Sequence, residues 1–436
     1  MRFALVNPNW SYAGSVYFGC REPHLPLELA YSRALLERAG HDALVIDAQL
    51  HALGLAELRE RVRAFAPDFI VVTTAPTYLF WRCPPPELRV PRETLAALRG
   101  SAPTLVAVGP HPSVTPGAAL RKLGADVAVL GECEEILVAL GAVEREAWAR
   151  VPSIAWIDRG RSSGVVRAQG GPHASRLEEL PPLRWTSDVI RRHRHHHHRF
   201  DAPVRAPGAE LEATRGCPYR CAFCNKETFR NRYRKRPLDV VLDELDGLLA
   251  QGVEYVYFID EIFLPDRALL DALARRHVGF GVQLRIDNWS AELIDLLGRA
   301  GCRSIEAGVE SISERGRAAL DKQSALSTQE LAERLIYAKR RVPFVQANLL
   351  DARTDDRAAV EEWRARLHRH GVWANKPVPM FPYPGSPGYR ARWGVPDDRA
   401  WERAHAHYLA EYGELSDLQD AQPRALEALE AEAGGG

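Results

Sequence analysis

The stretch "RGCPYRCAFCNK", residues 215–226, places Cys217, Cys221 and Cys224 within eight positions, in a chain of 436 residues with seven cysteines. It continues from "AELEATRG" (209–216), which reads as a strand running into the cysteines. Structural zinc is normally closed by four ligands, often as two spaced pairs. No second pair lies nearby, and no Cys or His follows closely after Cys224. Core cysteines placed by chance would rarely bunch this tightly. A [4Fe–4S] cluster held by three thiolates leaves one iron open to a small molecule's amino and carboxylate groups, and it fits the spacing best.

Downstream of the cysteines, amphipathic and short apolar segments alternate. "LDVVLDELDGLLAQG" reads as a helix, "EYVYFID" as a strand, "RALLDALARR" as a helix and "GVQLRID" as a strand. The pattern continues through "CRSIEAGVE" and "PFVQANLL" to a last strand, "ANKPVPMFPY". About six βα units are too few for an eight-fold barrel and predict an open, partial (βα)6 barrel over 206–390. The first 150 residues alternate in the same way, with strands at "RFALVNP", "DALVIDA", "PDFIVVTTA", "TLVAVGPH" and "ADVAVLGE". They predict a doubly wound parallel sheet, a Rossmann-like α/β domain that binds ligands beyond the carboxyl ends of its strands. Residues 151–205 read as a connector with a small hairpin and the His-rich run "RRHRHHHHRF", and 391–436 as a charged helical tail.

Lys plus Arg and Asp plus Glu both number 57, so net charge argues for no nucleic-acid partner. No apolar run approaches the roughly 18 residues of a membrane span. "MRFALVNPNW" lacks the pattern of a signal peptide, and the scattered remaining cysteines suit reduced thiols, so a cytoplasmic setting is expected.

The C-x-x-x-C-x-x-C spacing, with Phe223 just before the last cysteine, resembles the radical S-adenosylmethionine enzymes. "YFIDEIF" (257–263), "GCRSIEAGVES" (301–311) and "PMFPYPGSPGY" (379–389) resemble strand motifs of the branch with a cobalamin (B12)-binding domain. The N-terminal sheet resembles that domain, with "VGPHPS" (108–113) and "LGECEE" (130–135) at its characteristic loops. The resemblance implies a [4Fe–4S] cluster on Cys217, Cys221 and Cys224, S-adenosylmethionine on the open iron, and cobalamin. It implies an enzyme that methylates an unactivated carbon of a small metabolite, fed by an external one-electron donor of flavodoxin or ferredoxin type. Cyclisation, rearrangement or oxidation without methyl transfer is the alternative, and a non-catalytic iron–sulfur binding protein the further one.

Asp260 and Glu261 end the second barrel strand, where they either meet the amino group of S-adenosylmethionine or cap the next helix. Arg285, paired with Asp287 or free for the carboxylate of S-adenosylmethionine, ends the third strand. Glu310 and Ser311 end the fourth, with Glu310 a candidate for the ribose hydroxyls. Thr73, Thr74, Gly109, Pro110, His111 and Ser113 are the corrinoid-contact candidates, since small and hydroxyl-bearing side chains allow close backbone approach. Cobalamin domains of the methylmalonyl type place a His on cobalt through D-x-H-x-x-G, whereas "NPNWSYAG" (7–14) stands there, so no histidine ligand from that motif is expected. Trp81, Trp289, Tyr383 and at least one of His195–His198 are expected to approach the substrate cleft.

Overall fold

The computed structural model describes residues 1–11, 23–77, 83–158, 165–193, 207–412 and 425–431. Trp81 and His195–His198 lie outside the described residues. The chain divides into two compact units.

The first unit comprises residues 1–183, 224–231 and 381–436. Its sheet holds β1 (Arg2–Asn7), β2 (Asp42–Asp47), β3 (Phe69–Thr73), β4 (Thr104–Val108), β5 (Val127–Val129), β6 (Ile154–Asp158) and β7 (Val165–Gln169), in the order β2-β1-β3-β4-β5-β6-β7. The first five are parallel. Their apolar runs are explained by burial on both faces. Ala4, Val6, Ile70, Val72 and Leu105 pack with Leu58, Val62, Leu95 and Leu120 of the covering helices. Phe3, Leu5, Val71 and Val106 are fully buried on the other face. The hairpin expected in the connector instead extends this sheet, since β6 and β7 pair antiparallel at its edge. Burial of Ile154 and Ala155 draws it there.

The second unit comprises residues 184–223 and 232–380. A short antiparallel pair, β9 (Thr214–Arg215) with β10 (Arg234–Lys235), flanks the cysteine segment. The main sheet holds β8 (Gly208–Leu211), β11 (Tyr255–Phe258), β12 (Gly279–Leu284), β13 (Cys302–Glu310), β14 (Phe344–Asp351) and β15 (Trp373–Ala374), in the order β15-β14-β13-β12-β11-β8, with β16 (Val378–Pro379) also on β14. All these pairings are parallel. Among the described residues β8 and β15 do not pair, so the barrel is open. The expected last strand survives only as two-residue pieces, because Pro377 and Pro379 carry no N–H for a ladder. Asn375 substitutes: its side-chain amide accepts from Leu349 N at 2.7 Å and donates to Leu349 O at 3.0 Å.

Several barrel helices start where the sequence supplies caps. Asp266, Ser290 and Asp356 each accept from a backbone N–H of the first turn. Ser327 and Glu330 form a capping box. These caps let the strands end cleanly, and the polar residues at the strand ends become the candidate site.

Candidate functional site

The cysteine loop leaves β8 through Glu212, Ala213 and Thr214, and the carboxyl end of β11 grips it. Asp260 is buried; its Oδ1 accepts from Ala213 N at 2.9 Å and its Oδ2 from Thr214 Oγ1 at 2.6 Å. Glu261 Oε2 accepts from Gly216 N at 2.6 Å, where Gly216 turns at φ +83°. Asp266, not Asp260 or Glu261, caps the following helix. The two carboxylates hold the backbone that carries the thiols. Burial pushes the Asp260 carboxyl up to about 7, against the hydrogen bonds of Thr214 and Ala213. On the far side of the loop, Ala222 N donates to Leu320 O at 2.9 Å.

Cys217, Cys221 and Cys224 are half-buried, as is Phe223. Among the described residues, no three His, Cys, Asp or Glu side chains converge on a point that would hold a single metal ion. A cubane makes a different demand: each thiolate takes a different iron, so the sulfurs stand apart around a cluster. Three half-buried thiols on a pinned loop fit that demand.

Arg285 at the end of β12 pairs with Asp287 in a fork, Nε to Oδ1 at 3.1 Å and Nη2 to Oδ2 at 2.6 Å. Its guanidinium lies 3.8 Å from the centre of the Tyr219 ring, inside the cysteine loop. Tyr219 in turn donates to Asn288 Oδ1 at 2.7 Å. The Nη1 of Arg285 is buried without a partner among the described residues, a donor placed for an anionic ligand group. Burial raises the Asp287 carboxyl, but hydrogen bonds and charge from Arg285, with charge from Lys322, bring it below its ordinary value.

Glu310 ends β13 in the left-handed region, φ +60°, and is ion-paired with the buried Lys322. It lines a cavity of about 590 Å³ beyond β14, with Asp351, Arg353 and Lys376. Ser311 is engaged within the protein: its hydroxyl donates to Asp355 Oδ1 at 2.9 Å. Asp355 also accepts from Ile312 N. Sequence reading missed Tyr219, Lys322 and Asp355.

In the first unit the corrinoid candidates gather at the carboxyl ends of β3 and β4. The Thr73 and Thr74 hydroxyls are buried without a hydrogen-bond partner among the described residues. Gly109 sits at φ +129°, where a Cβ would stand 2.5 Å from Thr74 Oγ1. Pro110 begins the short helix that follows, Pro110–Val114. His111 and Ser113 face inward instead. His111 is fully buried beside Trp401, bonds through Nε2 to Pro85 O at 3.0 Å, and burial pushes it down to about 3. Ser113 donates to Gly109 O at 2.6 Å and accepts from Gly131 N at 2.8 Å, tying the two loops together. Glu132 and Glu134 of "LGECEE" bind Ser175. Trp289, expected at a cleft, is a core residue: it is fully buried and stacked on Phe263. Tyr383 packs against the cluster of Val114, Trp401 and Leu426.

The sequence matches the radical SAM superfamily over residues 211–363 and the B12 binding domain over residues 20–141. The chain belongs to the radical SAM superfamily and carries a B12-binding domain. A [4Fe–4S] cluster, S-adenosylmethionine and cobalamin are the cofactors of that domain pair. The chain is 27% identical over 360 residues to an anaerobic magnesium-protoporphyrin IX monomethyl ester cyclase of Cereibacter sphaeroides, covering 77% of this chain and 55% of the relative. It is 24% identical over 331 residues to an uncharacterized methyltransferase of Pyrococcus horikoshii, covering 72% and 66%. The chain therefore spans between about half and two thirds of these relatives' lengths. Its fold is that of TsrM, a radical S-adenosylmethionine methyltransferase of Kitasatospora setae solved with cobalamin and a [4Fe–4S] cluster. The TM-score is 0.69 at 20% identity, over 89% of this chain and 73% of that one. It is also that of the cobalamin-dependent enzyme OxsB, with TM-score 0.65 at 16% identity over 97% and 57%. No helix among the described residues is long and apolar enough to cross a membrane.

Proposed function

We propose that this chain is a cobalamin-dependent radical S-adenosylmethionine C-methyltransferase acting on an unactivated carbon of a small metabolite. The observation that carries the reading is the pairing in one chain of two features: a three-cysteine loop gripped by Asp260 and Glu261, and a cradle of orphaned threonine hydroxyls beside Gly109. Cys217, Cys221 and Cys224 hold the cluster, with Phe223 packed beside it. Arg285 presents Nη1 to the carboxylate of S-adenosylmethionine, and Glu310 takes the ribose hydroxyls. Asp260 and Glu261 act one step back, by fixing the loop. Thr73, Thr74, Gly109 and Pro110 receive the corrinoid, while His111 and Ser113 shape the loop from beneath. When bound, the cluster supplies the electron that opens S-adenosylmethionine and the corrinoid carries the methyl group. The electron comes from an external donor of flavodoxin or ferredoxin type, in a cytoplasmic setting.

The likeness to methyltransferases and the tryptophan-bound TsrM structure support a small-molecule substrate and methyl transfer. The cyclase relatives support a second reading, ring closure without methyl transfer. The test is an anaerobic assay of reconstituted protein with a reductant, methyl-deuterated S-adenosylmethionine and candidate metabolites. Release of 5′-deoxyadenosine together with a labelled methyl in the product is expected. An unlabelled, ring-closed product would favour the second reading. No 5′-deoxyadenosine from any substrate would sink both.

A further inference from the structure

Lys322 belongs to no motif, yet the second unit is built to deliver it. It is buried and ion-paired with Glu310. Both ends of that pair sit on strained backbone. Glu310 has φ +60°, and the residues flanking Lys322, Asp321 and Gln323, have φ +48° and +53°. Three left-handed residues that are not glycine, all at one ion pair, are costly and persist only where the surroundings enforce them. The enforcing group is Arg317, buried, which donates to Ser311 O at 3.2 Å and to Ile312 O at 2.7 Å and also binds Leu326 O. It thereby locks the loop after Glu310 to the loop that carries Lys322, whose own N–H donates to Arg317 O at 2.9 Å.

The same loop meets the cysteines, since Leu320 O accepts from Ala222 N, one residue past Cys221. Arg285 meets the cysteine loop too, its guanidinium 3.8 Å from the centre of the Tyr219 ring. Arg285 is matched by its fork with Asp287, and Lys322 by Glu310. Two neutral pairs thus flank the loop alongside the carboxylates of Asp260 and Glu261, and loss of one partner from either pair leaves a net charge in a poorly screened place.

We propose that Lys322 is a positioning residue whose positive charge sets the reduction potential of the cluster on Cys217, Cys221 and Cys224, with Glu310 as its counter-charge. A cation beside a cluster favours the added electron, and hydrogen bonding, net charge and exposure are the protein's levers on such potentials. The inference rests on the cluster assignment proposed above.

The experiment is a mediated one-electron titration of the reconstituted full chain, followed by the spin signal of the reduced cluster, with iron measured on every sample. Lys322→Met should make the reduced-to-oxidised ratio at a fixed potential at least tenfold smaller, a midpoint about 59 mV lower. Glu310→Gln should shift it upward, Lys322→Arg should stay near the parent, and the double variant Lys322→Met/Glu310→Gln should return toward it. A purely structural role would move both single variants the same way or neither. If Lys322→Met binds iron and keeps the parental potential, the inference is wrong. If that variant loses its iron, Glu310→Gln decides alone, and the absence of an upward shift overturns the inference. A parent chain that takes up no iron would instead remove the cluster assignment itself, and this inference with it.

Discussion

Replacing Asp260 by Ala tests whether the carboxylates of β11 build the cysteine loop. The side chain accepts from Ala213 N at 2.9 Å and Thr214 Oγ1 at 2.6 Å in a fully enclosed place. Truncation leaves two buried donors unsatisfied, at about 1–3 kcal/mol each, so destabilisation of about 2–6 kcal/mol is expected. The cost depends on pH, and its sign follows from burial. The folded carboxyl titrates near 7 against an ordinary 3.8, so the folded protein holds a proton that the unfolded chain has released. Asp260 therefore stabilises most at acid pH, and its contribution falls as pH rises toward 7. Between pH 5 and 8 the cost of Asp260→Ala should shrink by about 3 kcal/mol, at 1.36 kcal/mol per pH unit up to the folded value. Denaturant midpoints of parent and variant at both pH values measure this, and iron content after anaerobic reconstitution reports on the loop. A variant within about 0.5 kcal/mol of the parent at pH 5, with full iron, would refute the reasoning. So would a cost that grows with pH.

Changing Cys217, Cys221 and Cys224 together to Ala should reduce the iron of reconstituted protein from about four per chain to none. Cys133→Ser and Cys302→Ser should keep it, since both thiols are buried in contacts of their own, Cys133 beside the Ser32 hydroxyl and Cys302 on Ser304 O; iron in the triple variant would refute the assignment. Gly109→Val should abolish corrinoid copurification, because its Cβ would stand 2.5 Å from Thr74 Oγ1 at a φ that valine resists; equal corrinoid content would remove the cradle. Arg285→Lys should weaken S-adenosylmethionine binding by about tenfold while iron is retained, since lysine keeps the charge and loses both the fork and the stack on Tyr219. Unchanged affinity by calorimetry would show that Nη1 faces no ligand.

The sheets were readable from sequence because strands buried on both faces are apolar throughout, as in "FALV" and "FIVV". The cysteine spacing was readable because one loop supplies all three thiols. What could not be read were partnerships made at a distance. Asp355 reaches Ser311 across 44 positions, Tyr219 reaches Asn288 across 69, and no periodicity marks either. Asp260 shows the limit differently. Its place at a strand end was legible, but a carboxylate there can face a ligand or grip a neighbouring backbone, and only the packing of β8 against β11 decides for the grip. The proline-rich last strand failed for a chemical reason: its alternation is that of a strand, but its prolines cannot donate to one.

Many small metal sites order only when the metal binds, because nothing else holds the ligands together. The cysteine loop here is held otherwise. Its entry is fixed by Asp260 and Glu261, and Ala222 is fixed by Leu320. Two fully buried ion pairs, Glu212 with Arg215 and Arg236 with Glu244, lie where the chain enters and leaves the short β9–β10 ladder, and Arg236 also donates to Glu212 O at 2.7 Å. Such pairs add little net stability, because desolvation offsets their attraction, but separating one strands a bare charge at a cost of about 3–5 kcal/mol. Their effect is therefore on register: a slip of one residue between Thr214 and Arg215 would turn Arg215 away from Glu212. A cubane needs three sulfurs at three fixed corners, while S-adenosylmethionine needs the fourth corner open. Rigid ends with half-buried thiols between them meet both needs, since the scaffold sets the geometry and the exposed side of the loop leaves room for what binds there.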